Sequence, residues 1–107
     1  MVSLATYRTL AQALPDVLEQ IHHRMPAFAR GARRFAIFDP AKGMLALRLP
    51  LTDSDRIEAV RAGLLEPAPG KYGAEGWASV DMARIGKDAF STLLRKAHQG
   101  VGQKPRE

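Results

Sequence analysis

Twelve residues in the second half of the chain restrict its fold more than any others: Glu66-Pro67-Ala68-Pro69-Gly70-Lys71-Tyr72-Gly73-Ala74-Glu75-Gly76-Trp77. Pro67 and Pro69 hold φ near the extended value and turn the residues before them away from helical geometry. Gly70, Gly73 and Gly76 allow positive φ or a close approach of backbone to backbone. Immediately afterwards, Trp77-Ala78-Ser79-Val80-Asp81-Met82 alternates with a period of two and reads as a strand. The stretch therefore reads as a shaped loop that delivers a strand headed by the only tryptophan. Pro69, the three glycines and Trp77 are its structural anchors. Trp77 is expected to lie largely buried beneath the loop, so that Trp77→Ala would cost about 3–5 kcal/mol, as for a buried aromatic.

The chain of 107 residues has the length of one domain with a single modest core. Its apolar share of 46% and charged share of 25% are those of an ordinary globular protein. The absence of cysteine excludes disulfides, thiolate metal sites and cysteine nucleophiles. No apolar run approaches the roughly 20 residues that cross a bilayer, and Met1 to Arg8 lack the pattern of a signal peptide. A cytoplasmic protein is the expectation. The formal charge of +5 favours a polyanionic partner.

In chain order, Leu4, Tyr7, Leu10, Ala11 and Leu14 lie at helical spacing, with Ser3 as N-cap and Pro15 as terminator. Val17 to Arg24 fits either a strand or a helix, and Pro26 is expected to end it. Ala27 to Arg30 and Arg34 to Phe38 read as strands about a Gly31 turn, and Asp39-Pro40-Ala41-Lys42-Gly43 as the next turn. Met44 to Leu49 places Leu45, Leu47 and Leu49 on one strand face. Thr52-Asp53-Ser54-Asp55 is a capping signature for a second helix, whose buried stripe is expected at Ile57, Val60 and Leu64. A last helix spans Lys87 to His98, with Phe90, Leu93, Leu94 and Ala97 on its apolar face and Gly100 just past its end. These elements predict one α+β domain over residues 1–99, an antiparallel sheet packed against helices in the order α, three or four β, α, β, α, and a flexible tail over 100–107.

Catalysis finds little support. His22 and His23 are adjacent, and on a strand would point to opposite faces, unable to chelate one metal. No nucleophile elbow is present, and Gly70-x-x-Gly73-x-x-Gly76 has the wrong spacing and context for a phosphate-binding loop. Neither enzyme activity, metal nor cofactor is expected. The charge distribution is more informative. No acidic residue falls between Glu19 and Asp39, whereas Arg24, Arg30, Arg33 and Arg34 do. Arginines around a hairpin turn can pair bidentately with phosphates, and Lys42 and Lys71 occupy neighbouring turns. Arg30, Arg33, Arg34, Lys42 and Lys71 are the candidate nucleic-acid contacts.

The order of motifs resembles that of the MmcQ/YjbR family of small bacterial proteins. The resemblance rests on Leu14-Pro15-Asp16, Pro26-Ala27-Phe28, Arg34-Phe35-Ala36, Leu45-Ala46-Leu47-Arg48-Leu49-Pro50, Pro67-Ala68-Pro69-Gly70-Lys71-Tyr72-Gly73 and Gly76-Trp77-Ala78-Ser79-Val80-Asp81-Met82. It covers roughly residues 4 to 100. It implies a frataxin-like, CyaY-like α+β fold of double-wing type and a DNA-binding label, without catalytic residues or a defined set of DNA contacts. Frataxin-type iron binding would need a carboxylate-rich first helix, which this chain lacks before Asp16. Two readings stand. One is weak, largely sequence-independent binding of duplex DNA through basic hairpin tips, by a monomer or weak dimer. The other is a protein-interaction or small-ligand module using the sheet face and the Gly70–Trp77 stretch.

Overall fold

A computed structural model describes residues 2–102. It contains α1 (Leu4–Gln12), β1 (Val17–His22), β2 (Met25–Arg30), β3 (Arg33–Asp39), β4 (Met44–Arg48), α2 (Ser54–Arg61), β5 (Leu65–Pro67), α3 (Gly70–Ala74), β6 (Trp77–Asp81) and α4 (Lys87–Gly102). The six strands form one antiparallel sheet in the order β1-β2-β3-β4-β6-β5. The α+β class expected from the sequence is the observed one, with four strands in the first run.

The sheet has one covered face. Phe28, Ala36, Phe38, Leu45, Leu47, Leu65, Ala78 and Val80 are buried there, beneath α1 and α4. Tyr7 of α1 is the centre of this layer: its ring stands edge-on to Phe28 at 5.0 Å and to Phe90 at 6.3 Å, and lies 6.0 Å from Phe38. Edge-to-face rings add to what their buried area contributes. Burial drives the phenol of Tyr7 well above its ordinary pKa, helped by the nearby Glu19 carboxylate, so the ring stays neutral. Glu19 is itself held by α1, through Arg8 at 3.1 Å and Gln12 at 3.0 Å. On α4, Phe90, Leu93, Leu94, Ala97 and Val101 are buried at helical spacing.

Local signals read from the sequence explain most boundaries. Ser3 caps α1 by accepting from the Thr6 amide at 3.1 Å. The cap of α2 is Asp53, one residue beyond Thr52, accepting from the Arg56 amide at 3.1 Å. Lys96 of α4 reaches Asp55 at 3.4 Å and Asp53 at 3.8 Å, tying the two helices.

The structure corrects several expectations. Pro26 does not end a segment: it lies within β2 opposite Ile21, because the chain reverses earlier, at His23 and Arg24. Both residues adopt positive φ, 49° and 65°, as a tight two-residue hairpin requires. Ile57 of α2 is exposed, and Arg56 and Ala59 are buried instead, with Val60 and Leu64 half-buried, since this short helix leans on β5 and α4. The central stretch is more regular than a loop: β5 pairs with β6, and residues 70–74 form α3. Gly100 does not stop the last helix. It lies inside α4 where a Cβ would stand 2.8 Å from the Pro50 ring, so glycine allows close packing rather than a cap. Burial of Val101 extends the ordered domain beyond 99, and the part of the predicted tail over 103–107 lies outside the described residues.

Trp77 is partly buried, shares a hollow with Ala68 and Tyr72, and lies outside the core layer. In β6, Ala78 and Val80 face the core, so Trp77, Ser79 and Asp81 face the uncovered side. Gly76 makes this register possible. Its φ is +104°, its carbonyl accepts from the Leu49 amide at 2.9 Å, and a Cβ there would collide with the Leu49 carbonyl oxygen. Gly76→Ala is therefore expected to lower the unfolding free energy by about 1–3 kcal/mol, the usual cost of such backbone strain. Urea denaturation of the variant beside the wild type measures it, and an unchanged midpoint would contradict the close approach.

Candidate nucleic-acid interface on the open sheet face

Among the described residues neither α1 nor α4 covers the second face of the sheet, and only the short α3 reaches its edge, through Tyr72. Its residues follow from the strand registers. One row runs Gln20, Ala27, Ile37, Ala46, Ser79, Glu66; beside it lie His22 and Met25, Met44 and Asp81, and Arg48 with Trp77. The middle of the face carries small residues, Ala27, Ala46 and Ser79, so it forms a depression rather than a dome. Two adjoining hollows of about 460 and 440 Å³ share His22, Ile37 and Ala46. The first is closed by Arg34, Ala68, Tyr72 and Trp77, the second by Met25, Asp39, Lys42, Met44 and Ser79. Together they make an open trough with an aromatic end and a lysine end.

The five candidate cations divide among three places. Arg30 is not free at a hairpin tip. It is half-buried on the helix side of β2, and its guanidinium donates to the His98 carbonyl of α4 at 3.3 Å. Arg33 pairs opposite Arg30, so it shares that side and borders a crevice of about 200 Å³ with Pro50, Gly100 and Val101. Arg34, one residue on, faces the open trough. The alternation of side chains along a strand splits the arginine cluster that looks continuous in the sequence. Lys42 borders the opposite end of the trough, about five residues of β3 away, which is about 17 Å at the rise of an antiparallel strand. Lys71 is exposed on α3 and lines neither hollow, although its neighbour Tyr72 does. Arg33, Arg34, Lys42 and Lys71 make no hydrogen bond or ion pair with other side chains or carbonyls among the described residues. Arg48, not singled out from the sequence, is the strand partner of Trp77, but it borders the Arg33 crevice and donates to the Glu75 carbonyl at 3.1 Å.

The face also carries acid: Glu66 is exposed and has no side-chain partner among the described residues, while Asp39 and Asp81 are engaged by backbone. Asp39 accepts from the Ala41 amide at 3.0 Å and Asp81 from the Ala83 amide at 3.0 Å, each closing its own turn. Such carboxylates serve the backbone first.

The histidines behave differently from expectation. His22 ends β1 and His23 is already in the turn, so their rings meet at 4.3 Å instead of pointing to opposite faces. Even so, no group of three metal-ligating side chains occurs among the described residues. The imidazole of His22 is held below its ordinary pKa, first by partial burial, then by the Arg34 guanidinium and by His23. His98 is a structural residue: its Nε2 lies 2.6 Å from the Pro15 carbonyl and its ring stands edge-on to Phe35 at 5.5 Å.

Pro69, Gly70, Gly73 and Gly76 act as scaffold for the aromatic end. Pro69 precedes α3, Gly70 opens it, Gly73 abuts the Ala68 carbonyl and Gly76 closes the return to β6. Two site residues, Tyr72 and Trp77, could have been placed from the sequence. Trp77 shares strand parity with Ser79 and Asp81, the polar side of β6. Since its ring is only half-buried, Trp77→Ala should cost about 1–2 kcal/mol, well short of the 3–5 kcal/mol of a core aromatic. A denaturation midpoint shifted as far as that of Phe28→Ala would refute this placement.

Comparison of the chain with protein-family models, with curated proteins and with solved structures returns no match.

Proposed function

We propose that this protein is a small non-enzymatic binding module that holds DNA weakly and with little sequence preference, along the open face of its sheet rather than at a hairpin tip. The observation that carries the reading is a pair of cations, Arg34 and Lys42, at the two ends of the trough and without partners among the described residues, with Lys71 exposed on α3, the helix whose Tyr72 closes the same trough. Cations that fold into ion pairs contribute little to a ligand, whereas unengaged guanidinium and ammonium groups can replace the counterions of a phosphate chain. The formal charge of +5 adds long-range attraction. The resemblance to the MmcQ/YjbR family, with its DNA-binding label and CyaY-like fold, supports the same reading, and a cytoplasmic location is part of the proposal. The engagement of Arg30 by α4 and the turning away of Arg33 weigh against a basic hairpin tip as the contact.

Three phosphate contacts give a log–log salt slope near −3 on duplex DNA, with affinity in the range of about 10⁻⁴ to 10⁻⁶ M at physiological salt. Replacing Arg34 and Lys42 together by alanine should flatten that slope by about 2 on random-sequence DNA, about one unit for each lost contact. Arg95→Ala, an exposed change on α4 behind the sheet, should leave it unchanged. Fluorescence anisotropy on labelled DNA at several salt concentrations measures both, and absence of binding at low salt would end the proposal.

A pH dependence follows from His22. In the free protein the neighbouring Arg34 charge disfavours the imidazolium, and a phosphate seated on Arg34 offsets that charge. The complex therefore binds more protons than the free protein, so affinity rises as pH falls below the ordinary imidazole value of 6.5. The same titration at pH 7.5 and 5.5 should show tighter binding at the lower pH for wild type, and a smaller gain for His22→Ala.

A further inference from the structure

The seven aromatic residues divide into two groups. Tyr7, Phe28, Phe38 and Phe90 pack against one another, and Phe35 against His98, all within the covered layer. Tyr72 and Trp77 remain. Neither makes an aromatic pair among the described residues, both line the same end of the open trough, and Tyr72 is 65% exposed. Exposing the Tyr72 ring has a cost, and neither this ring nor the partly buried Trp77 belongs to the core layer.

Their surroundings have the chemistry of a base. Beside the rings stands Arg34, whose planar guanidinium can stack or pair with phosphate, and the exposed Lys71 precedes Tyr72 in α3. The floor is made of Ile37, Ala46 and Ala68, apolar and shallow. From there the trough continues past Ser79 to Lys42, about 17 Å along β3. At the 3.4 Å spacing of a stacked strand, that is about five nucleotides.

A duplex does not suit this arrangement. Its bases are stacked inside, and only its sugar-phosphate edge would reach rings that lie in a hollow. A single strand can turn its bases toward an aromatic platform while its phosphates meet the cations at both ends, which is how sequence-tolerant single-strand binders work. The small residues along the trough leave room for that.

We infer that the open face is a single-strand site, with Trp77 and Tyr72 as stacking platforms for unpaired bases and Arg34, Lys71 and Lys42 as phosphate contacts. This rests on the DNA-binding reading above and sharpens it to single-stranded nucleic acid. Sequence tolerance is then a property of the stacking, because every base presents a π-face. Double-stranded DNA would compete only through the cations.

Trp77 is the only tryptophan, so its emission reports on this site directly. The test titrates the wild-type protein with a twelve-nucleotide oligothymidylate, with a hairpin duplex of equal charge, and with polyglutamate, following emission and anisotropy together. The expected result is strong quenching with the oligothymidylate, tighter binding of it than of the duplex, and little quenching with the other two. Tyr72→Ala, at an exposed position that folding does not need, should weaken the single strand by about 5- to 150-fold and leave duplex binding within about 2-fold, because stacking on an aromatic is lost only for the single strand. Tyr72→Phe should restore it. Duplex binding equal to or tighter than single-strand binding, with Tyr72→Ala without effect, would overturn the stacking inference while leaving the DNA-binding proposal in place. Binding of polyglutamate as tight as that of the oligothymidylate would overturn it in favour of an acidic protein partner. No binding of either nucleic acid at low salt would remove both proposals together.

Discussion

The close contact between the Gly76 backbone and the Leu49 carbonyl determines how the second half of the chain meets the first. Leu49 is buried at the end of the β4 segment, and its amide is received by Gly76 just before β6 begins. That single junction sets Trp77 opposite Arg48, Ala78 opposite Leu47, and so on to Asp81 opposite Met44. A slip of one residue would turn Val80 outward and Trp77 into the core, because strand side chains alternate. Any side chain at position 76 would push the two strands apart. The aromatic end of the trough therefore depends on a glycine that touches no ligand.

The layer beneath the sheet explains why only one face is left open. Tyr7, Phe28, Phe38 and Phe90 join α1, α4 and the central strands, and Leu45, Leu47 and Val80 complete the seal. A chain of this length supplies enough apolar surface for one such layer. Antiparallel sheets commonly stay solvated on their second face, and here that face carries alanines, a serine, two unpaired rings and unengaged cations. The stability of the molecule and its candidate site thus lie on opposite sides of the same strands. Substitutions in the trough should accordingly affect binding more than folding, in contrast to changes at Tyr7 or Phe28.

The arginine-rich hairpin illustrates how proximity in sequence differs from proximity at a surface. Arg30, Arg33 and Arg34 lie within five positions, yet the hairpin register sends the first two toward α4 and the third into the trough. Trp77 and Arg34, far apart in sequence, line one end of the trough because β6 pairs with β4 beside β3. The basic surface is assembled by topology rather than by a run of charge.

Local sequence determined much of the fold. The helical spacing of Tyr7, Leu10 and Ala11 and of Phe90, Leu93, Leu94 and Ala97, the Ser3 cap and the alternation of Met44 to Leu49 all act within a few residues, where propensity and periodicity are decisive. The parity of β6 was equally legible, since Ser79 and Asp81 mark its wet side. Tertiary structure decided the rest. The end of α4 was not written at Gly100, because that glycine answers to Pro50, 50 residues earlier. The stripe of α2 was set by its packing on β5 and α4, which buries Arg56 and Ala59 and half-buries Val60 and Leu64, while Ile57 stayed outside. Likewise, which cations remained free depended on contacts such as Arg30 with His98, across 68 residues. Such long-range pairings follow from chain topology and register, which no local pattern encodes.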